Sequence, residues 1–172
     1  MNTMNTQTLN ESYEVYKQTH EKYPDYFAGF SIMEYVFEIG DLIKKSNITS
    51  VLDYGCGKAR AWKQYNLKQL WKLQNVKLFD PGVEEYAIKP LTGCDLVICT
   101  DVMEHVPEHL VDTVLTDVCR LANKAVFMNI STRPASKTLT DGTNAHATVR
   151  PAQWWQAKID KLDKLVIVRY SS

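Results

Sequence analysis

The stretch VLDYGCGKAR, residues 51–60, joins a short apolar run to two closely spaced glycines and then to a basic, helix-prone segment. A short apolar run that ends at glycine is typical of a strand buried on both faces of a sheet. Gly55 and Gly57 permit a sharp turn and a close approach of a ligand to the backbone. The first amides of the following helix favour an anionic group, whereas Asp53 favours a cationic one. The stretch therefore predicts a strand, a turn and a helix that together bind a zwitterionic ligand.

Strand and helix patterns alternate on both sides of this stretch. Apolar runs bounded by turn residues predict further strands at NVKLFDPG, CDLVICTD, NKAVFMNIS and KLVIVRYSS. Helical spacing or a helix-prone composition predicts helices within residues 13–23, 31–45, 58–74, 107–122 and 151–162. The second of these is expected to begin with Ser31 as its N-cap and with Glu34 bonded back to it. Because parallel neighbours need crossover connections, the alternation predicts an α/β fold with a doubly wound, mostly parallel sheet in three α/β/α layers.

The composition is that of an ordinary globular domain. The chain has 172 residues, 45% of them hydrophobic and 23% charged, and its 20 basic and 20 acidic residues cancel. This length favours one domain, and zero net charge gives no general attraction to nucleic acid. The four cysteines have no C-x-x-C spacing, and no apolar run is long enough to span a bilayer. With no secretory signal pattern at the N-terminus, we expect reduced thiols, no membrane association and a cytoplasmic location.

Residues that directly follow strands are the candidates for function, because ligands of open parallel sheets bind beyond the carboxyl ends of the strands. These candidates are residues 53–57, 80–82, 101–105 and the segment from Ser131 onward. A dinucleotide-binding fingerprint is not met, since Arg60 stands where G-x-G-x-x-G requires a third small residue.

Three runs together carry a resemblance to a known family. VLDYGCGKA, VKLFDP and DLVICTDVMEHVP occur in the order seen in class I S-adenosylmethionine-dependent methyltransferases, and the resemblance covers about residues 49–131. It implies a Rossmann-like fold and transfer of a methyl group from S-adenosylmethionine to O or N of a small polar acceptor. It also implies a division of the single domain, 1–172, into a helical cover at 1–47, a cofactor-binding core at 48–131, and an acceptor loop, helix and strand at 132–172.

The resemblance assigns cofactor contacts residue by residue. The glycine motif is expected to wrap the methionine part of the cofactor, Asp80 to bind the ribose hydroxyls, and Asp101 and Val102 to lie near the methyl group. The full set implied to bind the cofactor is Asp53, Tyr54, Gly55, Cys56, Gly57, Asp80, Pro81, Asp101 and Val102. Ala59 replaces a glycine often found in the motif. The short interval from Asp80 to Asp95 implies a minimal version with a shortened third-strand region, which leaves the adenine contact open between Tyr86 and Leu91.

The run TDVMEHVPEH carries a second, narrower resemblance. Asp101, Glu104, His105 and the distant His146 are similar to the ligand set of a metal-dependent branch that includes small-RNA 3′-terminal methyltransferases. A divalent ion held there would bind a substrate diol and lower the pKa of a hydroxyl. The match departs from the RNA enzymes at Asp101, where they have Glu, and at Val106, where they have another His. Without a metal, His105 or His146 is the expected general base in a catalytic set with Glu104; alternatively, Glu104 and His105 only form local hydrogen bonds.

Two further segments are expected to complete the site. Residues 131–150 predict a long polar loop that holds a hydrophilic acceptor, and Trp154 and Trp155 either wall this loop or pack in the core. Aromatic residues just before the predicted helix at 31–45 predict a cover over the cofactor; they are Tyr23, Tyr26, Phe27 and Phe30. His20 and His109 are expected on solvated helix faces.

Other function classes remain open at this stage. One is a module that binds S-adenosylmethionine to regulate or scaffold a partner without catalysis. A lesser one is a metal-assisted RNA 3′-end methyltransferase, for which the spread lysines of residues 63–77 give little support. The sequence leaves the acceptor and the oligomeric state open.

Overall fold

The glycine-terminated run forms an inner strand of a single parallel sheet. The computed structural model describes residues 3–172, with side chains from Tyr13 onward. The strands are β1 (Ser50–Tyr54), β2 (Asn75–Phe79), β3 (Cys94–Thr100), β4 (Ala122–Ser131) and β5 (Leu165–Ser171). They lie in the order β2-β1-β3-β4-β5, and every pair is parallel. Because the chain moves one way from β1 to β2 and then to the opposite side of β1 for β3, the strand order reverses between β1 and β3.

Helices cover both faces of this sheet. They are α1 (Thr3–Lys22), α2 (Val36–Lys45), α3 (Arg60–Gln64), α4 (Leu67–Leu70), α5 (Val111–Leu121) and α6 (Ala152–Ile159). Side chains alternate between the faces of a strand, so Leu52 packs in the cluster that holds α5 and α6, whereas Val51 packs in the cluster that holds α2, α3 and α4. The predicted three-layer, Rossmann-like α/β fold is confirmed.

Two local predictions about the helices are wrong. Ser31 does not cap a helix, because Phe30 takes the N-cap position of a 3₁₀ turn, Ser31–Tyr35, and α2 begins only at Val36. The Ser31 hydroxyl instead lies 3.2 Å from the Thr100 hydroxyl, at the end of β3. The helix predicted at 58–74 is split in two, because Asn66 has a left-handed backbone with φ of +46°.

The short interval between β2 and β3 is confirmed as a minimal connection. Within the described chain, residues 81–93 contain one 3₁₀ turn, Glu84–Tyr86, and no strand. Lys77 of β2 donates through Nζ to the carbonyl oxygen of Thr92 at 2.8 Å, which holds the end of this connection beside the strand.

Candidate functional site

A cavity of about 760 Å³ opens at the carboxyl ends of β1 and β3, where the strand order reverses. This volume lies within the range of about 300 to 1,000 Å³ that is usual for small-molecule sites. Most of the predicted site residues line it: Tyr54, Gly55, Gly57, Asp80, Pro81, Asp101, Val102, His105 and His146. Asp53, Cys56 and Glu104 are buried and lie outside the lining.

The glycine turn is built against the protein's own neighbouring segments. Gly55 and Gly57 have φ of +82° and +55°, a region that favours glycine. A Cβ on Gly55 would lie 2.4 Å from Cγ2 of Val102, and a Cβ on Gly57 would lie 2.3 Å from the backbone oxygen of Phe27. The sequence predicts that a ligand approaches these glycines closely. On the sides where Cβ atoms would project, Val102 and Phe27 take that place instead.

Asp80 joins the end of β2 to the glycine turn. Its Oδ2 accepts a hydrogen bond from the Gly57 amide at 2.8 Å, and its Oδ1 accepts one from the Gly82 amide at 2.9 Å. Burial raises the pKa of Asp80, and these two amides oppose the rise. A carboxylate offers about four acceptor positions, so Asp80 retains acceptor capacity on the cavity side. Asp80 is thus shown to cap the turn. Its unused acceptor positions are available to a ligand hydroxyl.

Asp53 is buried at the end of β1 and does not line the cavity. Its Oδ2 accepts a hydrogen bond from Nε1 of Trp62 at 2.6 Å, and burial raises its pKa to about 7. The carboxylates that line the cavity, besides Asp80, include Asp101 and Glu34. A cationic ligand in the cavity would therefore meet these two side chains and not Asp53.

Asp101 has an unusual backbone at the end of β3. Its φ is +53°, which L residues other than Asn and Asp rarely adopt, and its amide donates to the Asn129 oxygen at 3.1 Å. Loss of surrounding water, followed by the nearby charge of Glu34, raises the pKa of its carboxyl. Asp101 is thus a carboxylate held in the cavity wall by a backbone conformation that aspartate tolerates.

His105 and His146 form a pair with defined tautomers. Nδ1 of His105 lies 2.6 Å from the Ala145 oxygen, and Nδ1 of His146 lies 2.6 Å from the Arg133 oxygen. A carbonyl oxygen only accepts, so each Nδ1 carries the proton and each neutral ring keeps its lone pair on Nε2. The rings meet edge to face with centroids 4.9 Å apart. Burial, then the neighbouring His146, lowers the pKa of His105 to about 4, which keeps this ring neutral at physiological pH.

Glu104 is buried and bonded to the backbone at the end of β4. Its Oε1 accepts a hydrogen bond from the Ser131 amide at 2.8 Å, and its backbone oxygen accepts one from the Thr148 amide at 2.9 Å. Burial, then the charge of Asp101, raises its pKa to about 8, so the carboxyl is mostly protonated at neutral pH. Glu104 therefore holds the end of β4 and the following loop together through a long-range bond, and not through the local bonds at a helix start that the alternative predicted.

A metal at this position remains a prediction. Among the residues that the structure describes, no group of three or more His, Cys, Asp or Glu side chains is arranged to hold a metal ion. A site built from Asp101, Glu104, His105 and His146 would require Glu104 to lose its proton and to reach the cavity that it does not line.

The raised pKa of Glu104 gives a prediction for stability. A carboxyl whose pKa rises on folding contributes stability that is full below its ordinary pKa of 4.5 and is lost as the pH rises through about 8. Between pH 5.5 and 7 this group should make the free energy of unfolding fall by about 1.4 kcal/mol per pH unit. Glu104→Gln should remove that component, as measured by urea unfolding across this range. The exposed Glu108→Gln serves as the control, and equal slopes for the native chain and Glu104→Gln would contradict the assignment.

Helix α1 supplies part of the site that the sequence did not indicate. Tyr13, Tyr16 and His20 line the cavity, and the Tyr16 hydroxyl donates to the Ala145 oxygen at 2.7 Å. The prediction of a solvated face is wrong for His20, which is only 7% exposed and has Nε2 3.9 Å from Oδ1 of Asp80. It is confirmed for His109, which is exposed. Positions 13, 16 and 20 share one helix face, and that spacing was the available signal.

The segment between α1 and α2 lies against the glycine turn. Nζ of Lys58 donates to the backbone oxygens of His20, Tyr23 and Pro24 at 3.1, 3.1 and 2.7 Å. Phe27 and Phe30 line the cavity, whereas Tyr23 and Tyr26 stack on each other outside the lining. The segment thus occupies the place that the predicted cover would take.

The residues predicted to contact the adenine, and Trp155, lie outside the cavity lining. Leu91 is 91% exposed and Tyr86 is buried, and neither lines the cavity, where Tyr13 and Tyr54 are found instead. Trp155 is fully buried in the core with α5, so the core-packing alternative is confirmed for this residue.

Comparisons of the chain with protein-family models, with curated proteins and with solved structures give no match. Within residues 3–172, no helix has the length and apolar character of a membrane span.

Proposed function

We propose that the protein is an S-adenosylmethionine-dependent methyltransferase that methylates O or N of a small polar acceptor. The observation that carries this proposal is the bond between the Gly57 amide and Oδ2 of Asp80, at 2.8 Å. It joins the glycine turn after β1 to the acidic residue after β2 in the wall of a cavity at the switch point of the sheet. These are the two motifs whose order in the sequence resembles that family.

The donor set of the cavity fits the parts of this cofactor. Asp80 has acceptor capacity for a ribose diol, and Asp101 and Glu34 are anionic partners for a sulfonium or an ammonium. Tyr13 and Tyr54 offer aromatic surface for a planar base. Burial, then the charges of Asp117 and Asp80, raises the pKa of Tyr13.

Catalysis would rest on positioning and on exclusion of water. The cofactor supplies an activated methyl carbon. Holding the acceptor in line and about 3 Å away can remove about 7 to 11 kcal/mol of the barrier. Phe27 and Tyr16 line the cavity on its N-terminal side, and a hydroxyl acceptor would lose its proton to the Nε2 lone pair of a histidine. The low pKa of His105 makes it a weak base, which favours His146 for this role.

A single incubation tests the proposed activity. The protein is mixed with methyl-labelled S-adenosylmethionine and a small-molecule extract, and the products are identified by mass spectrometry. We expect a labelled acceptor together with S-adenosylhomocysteine in equal amounts. If base catalysis operates, His146→Gln should lower the rate by about 10²-fold or more. Binding of the cofactor without any labelled product would instead support a non-catalytic module.

The non-catalytic module has one observation in its favour. The connection at residues 81–93 contains one 3₁₀ turn and no strand, whereas the family that the chain resembles usually has a helix and a strand between β2 and β3. A domain reduced in this way can still bind the cofactor for a regulatory or scaffolding role.

The four cysteines are all free thiols, three of them buried, which supports the cytoplasmic location proposed from the sequence.

A further inference from the structure

One wall of the cavity belongs to the loop after β4 and carries two cationic side chains. Arg133 and Lys137 both line the cavity. In the part of the chain that the structure describes, neither forms an ion pair with a carboxylate. Two cations that face the same cavity without a carboxylate bonded to them form a site for a ligand of opposite charge.

Aromatic rings hold the Lys137 ammonium in place without neutralising it. Its Nζ lies 5.0 Å from the ring centroid of Tyr26 and 5.7 Å from that of Phe27. A cation over an aromatic face is attracted by the ring but keeps its full charge. The ammonium is thus positioned by the segment that covers the cavity and stays available to an anion.

Arg133 is fixed through its backbone to the proposed base. Its carbonyl oxygen accepts the Nδ1 hydrogen bond of His146 at 2.6 Å, while its exposed side chain lines the cavity. A guanidinium matches the planar, bidentate geometry of a carboxylate or a phosphate. An anion bound by Arg133 would therefore be held by the residue whose backbone orients the imidazole of His146.

Acidic side chains also line the cavity, so it contains negative as well as positive groups. Asp25 pairs with Arg60 at 3.2 Å, and both oxygens of Asp80 accept backbone hydrogen bonds.

Asp101 and Glu34 remain. Burial and the charge of Glu34 raise the pKa of the Asp101 carboxyl, and the charges of His146, Lys137 and Arg133 lower it, although neither loop cation forms an ion pair with it. In the proposed function Asp101 and Glu34 meet the positively charged cofactor, which leaves Arg133 and Lys137 to bind the second substrate.

We propose that the methyl acceptor is a small oxyanion, a hydroxylated molecule whose carboxylate or phosphate binds Arg133 and Lys137. This inference rests on the proposed methyltransferase function. The acceptor oxygen bonds to the methyl carbon as the carbon–sulfur bond of S-adenosylmethionine breaks, and the electron pair of that bond stays on sulfur. The hydroxyl proton passes to Nε2 of His146 and from there to solvent. The products are the methyl ether of the anion and S-adenosylhomocysteine.

Matched small probes test the anion site directly. Glycerate, glycerol 3-phosphate and glycerol share a hydroxylated three-carbon skeleton and differ in the charged group. Each is titrated into the isotope-labelled protein and followed by NMR at the backbone amides of residues 131–133 and 135–137, with and without S-adenosylhomocysteine. We expect both anions, or one of them, to bind about tenfold more tightly than glycerol. The preferred anion distinguishes a carboxylate acceptor from a phosphate acceptor.

Variants decide whether the two cations are responsible. Arg133→Gln and Lys137→Gln should each weaken anion binding by about tenfold, while Arg133→Lys should retain part of it. Lys161→Gln removes an exposed charge outside the cavity and should change nothing. Equal binding of anions and glycerol, or unchanged anion binding in both variants, would overturn the proposal. Absence of S-adenosylhomocysteine binding would count against the methyltransferase function, and the anion titrations would still give their own result.

Discussion

Replacing Gly55 with alanine is expected to lower the free energy of unfolding by about 2 to 5 kcal/mol. Two costs combine, because a left-handed backbone costs an L residue about 1 to 2 kcal/mol and overpacking costs about 1 to 3 kcal/mol. The added methyl group would lie 2.4 Å from Cγ2 of Val102, a β-branched side chain that has little freedom to move away. Chemical unfolding followed by circular dichroism measures the change.

Gly142→Ala is the matched control for this substitution. Gly142 has a similar φ of +87°, but a Cβ there would meet no atom within 4 Å. Its replacement should cost only the backbone term, about 1 to 2 kcal/mol. Adding Val102→Ala to Gly55→Ala should recover part of the lost stability by removing the clash. Equal losses at Gly55 and Gly142 would show that Val102 does not pack on the turn as described.

Removing the Asp80 carboxylate is expected to weaken S-adenosylhomocysteine binding by at least about 100-fold. The carboxylate is the proposed acceptor for two ribose hydroxyls, and hydrogen bonds to a charged group contribute about 1.5 to 3 kcal/mol each. It also holds the Gly57 and Gly82 amides in the cavity wall. Asp80→Ala therefore loses both the ligand contact and the support of the glycine turn. Calorimetric titration of each variant measures the affinity.

Two further variants separate these effects. Asp80→Asn keeps the shape of the side chain, so it is used if Asp80→Ala unfolds, and circular dichroism confirms folding before titration. Asp25→Ala removes another carboxylate that lines the cavity, but one paired with the exposed Arg60. We expect its affinity to remain within about threefold of the native value, since an exposed ion pair contributes little. Equal losses for Asp25 and Asp80 variants would indicate general electrostatics and contradict a specific ribose contact.

The sequence predicted the elements whose signals are local. The apolar run that ends at Gly55 identified β1 and its turn, and the short interval after Asp80 identified the minimal connection at residues 81–93. The Ser31 cap failed because the hydroxyl binds near Thr100, which is distant in sequence. The helix at 58–74 was predicted as continuous because its composition is helical throughout, and Asn66, which tolerates a left-handed backbone, was the signal for the break.

The candidate site was predictable where it follows strand ends. Asp80, Asp101 and His105 line the cavity because parallel strands bring their carboxyl ends together. The contribution of α1 was not predictable in the same way. Tyr16 finds its partner, the Ala145 oxygen, 129 positions away in the chain, and no local pattern specifies that contact. Glu104 was predicted to belong to the catalytic set because its bond to the Ser131 amide is also long-range and has no local signal. That bond holds the Glu104 side chain outside the cavity lining.

Calorimetric titration of the native, folded chain with S-adenosylhomocysteine measures whether the cavity between the glycine turn, Asp80 and the cover binds this nucleoside. We expect saturable binding with one molecule per chain. The absence of any binding heat at several temperatures, from protein shown to be folded by circular dichroism, would contradict it.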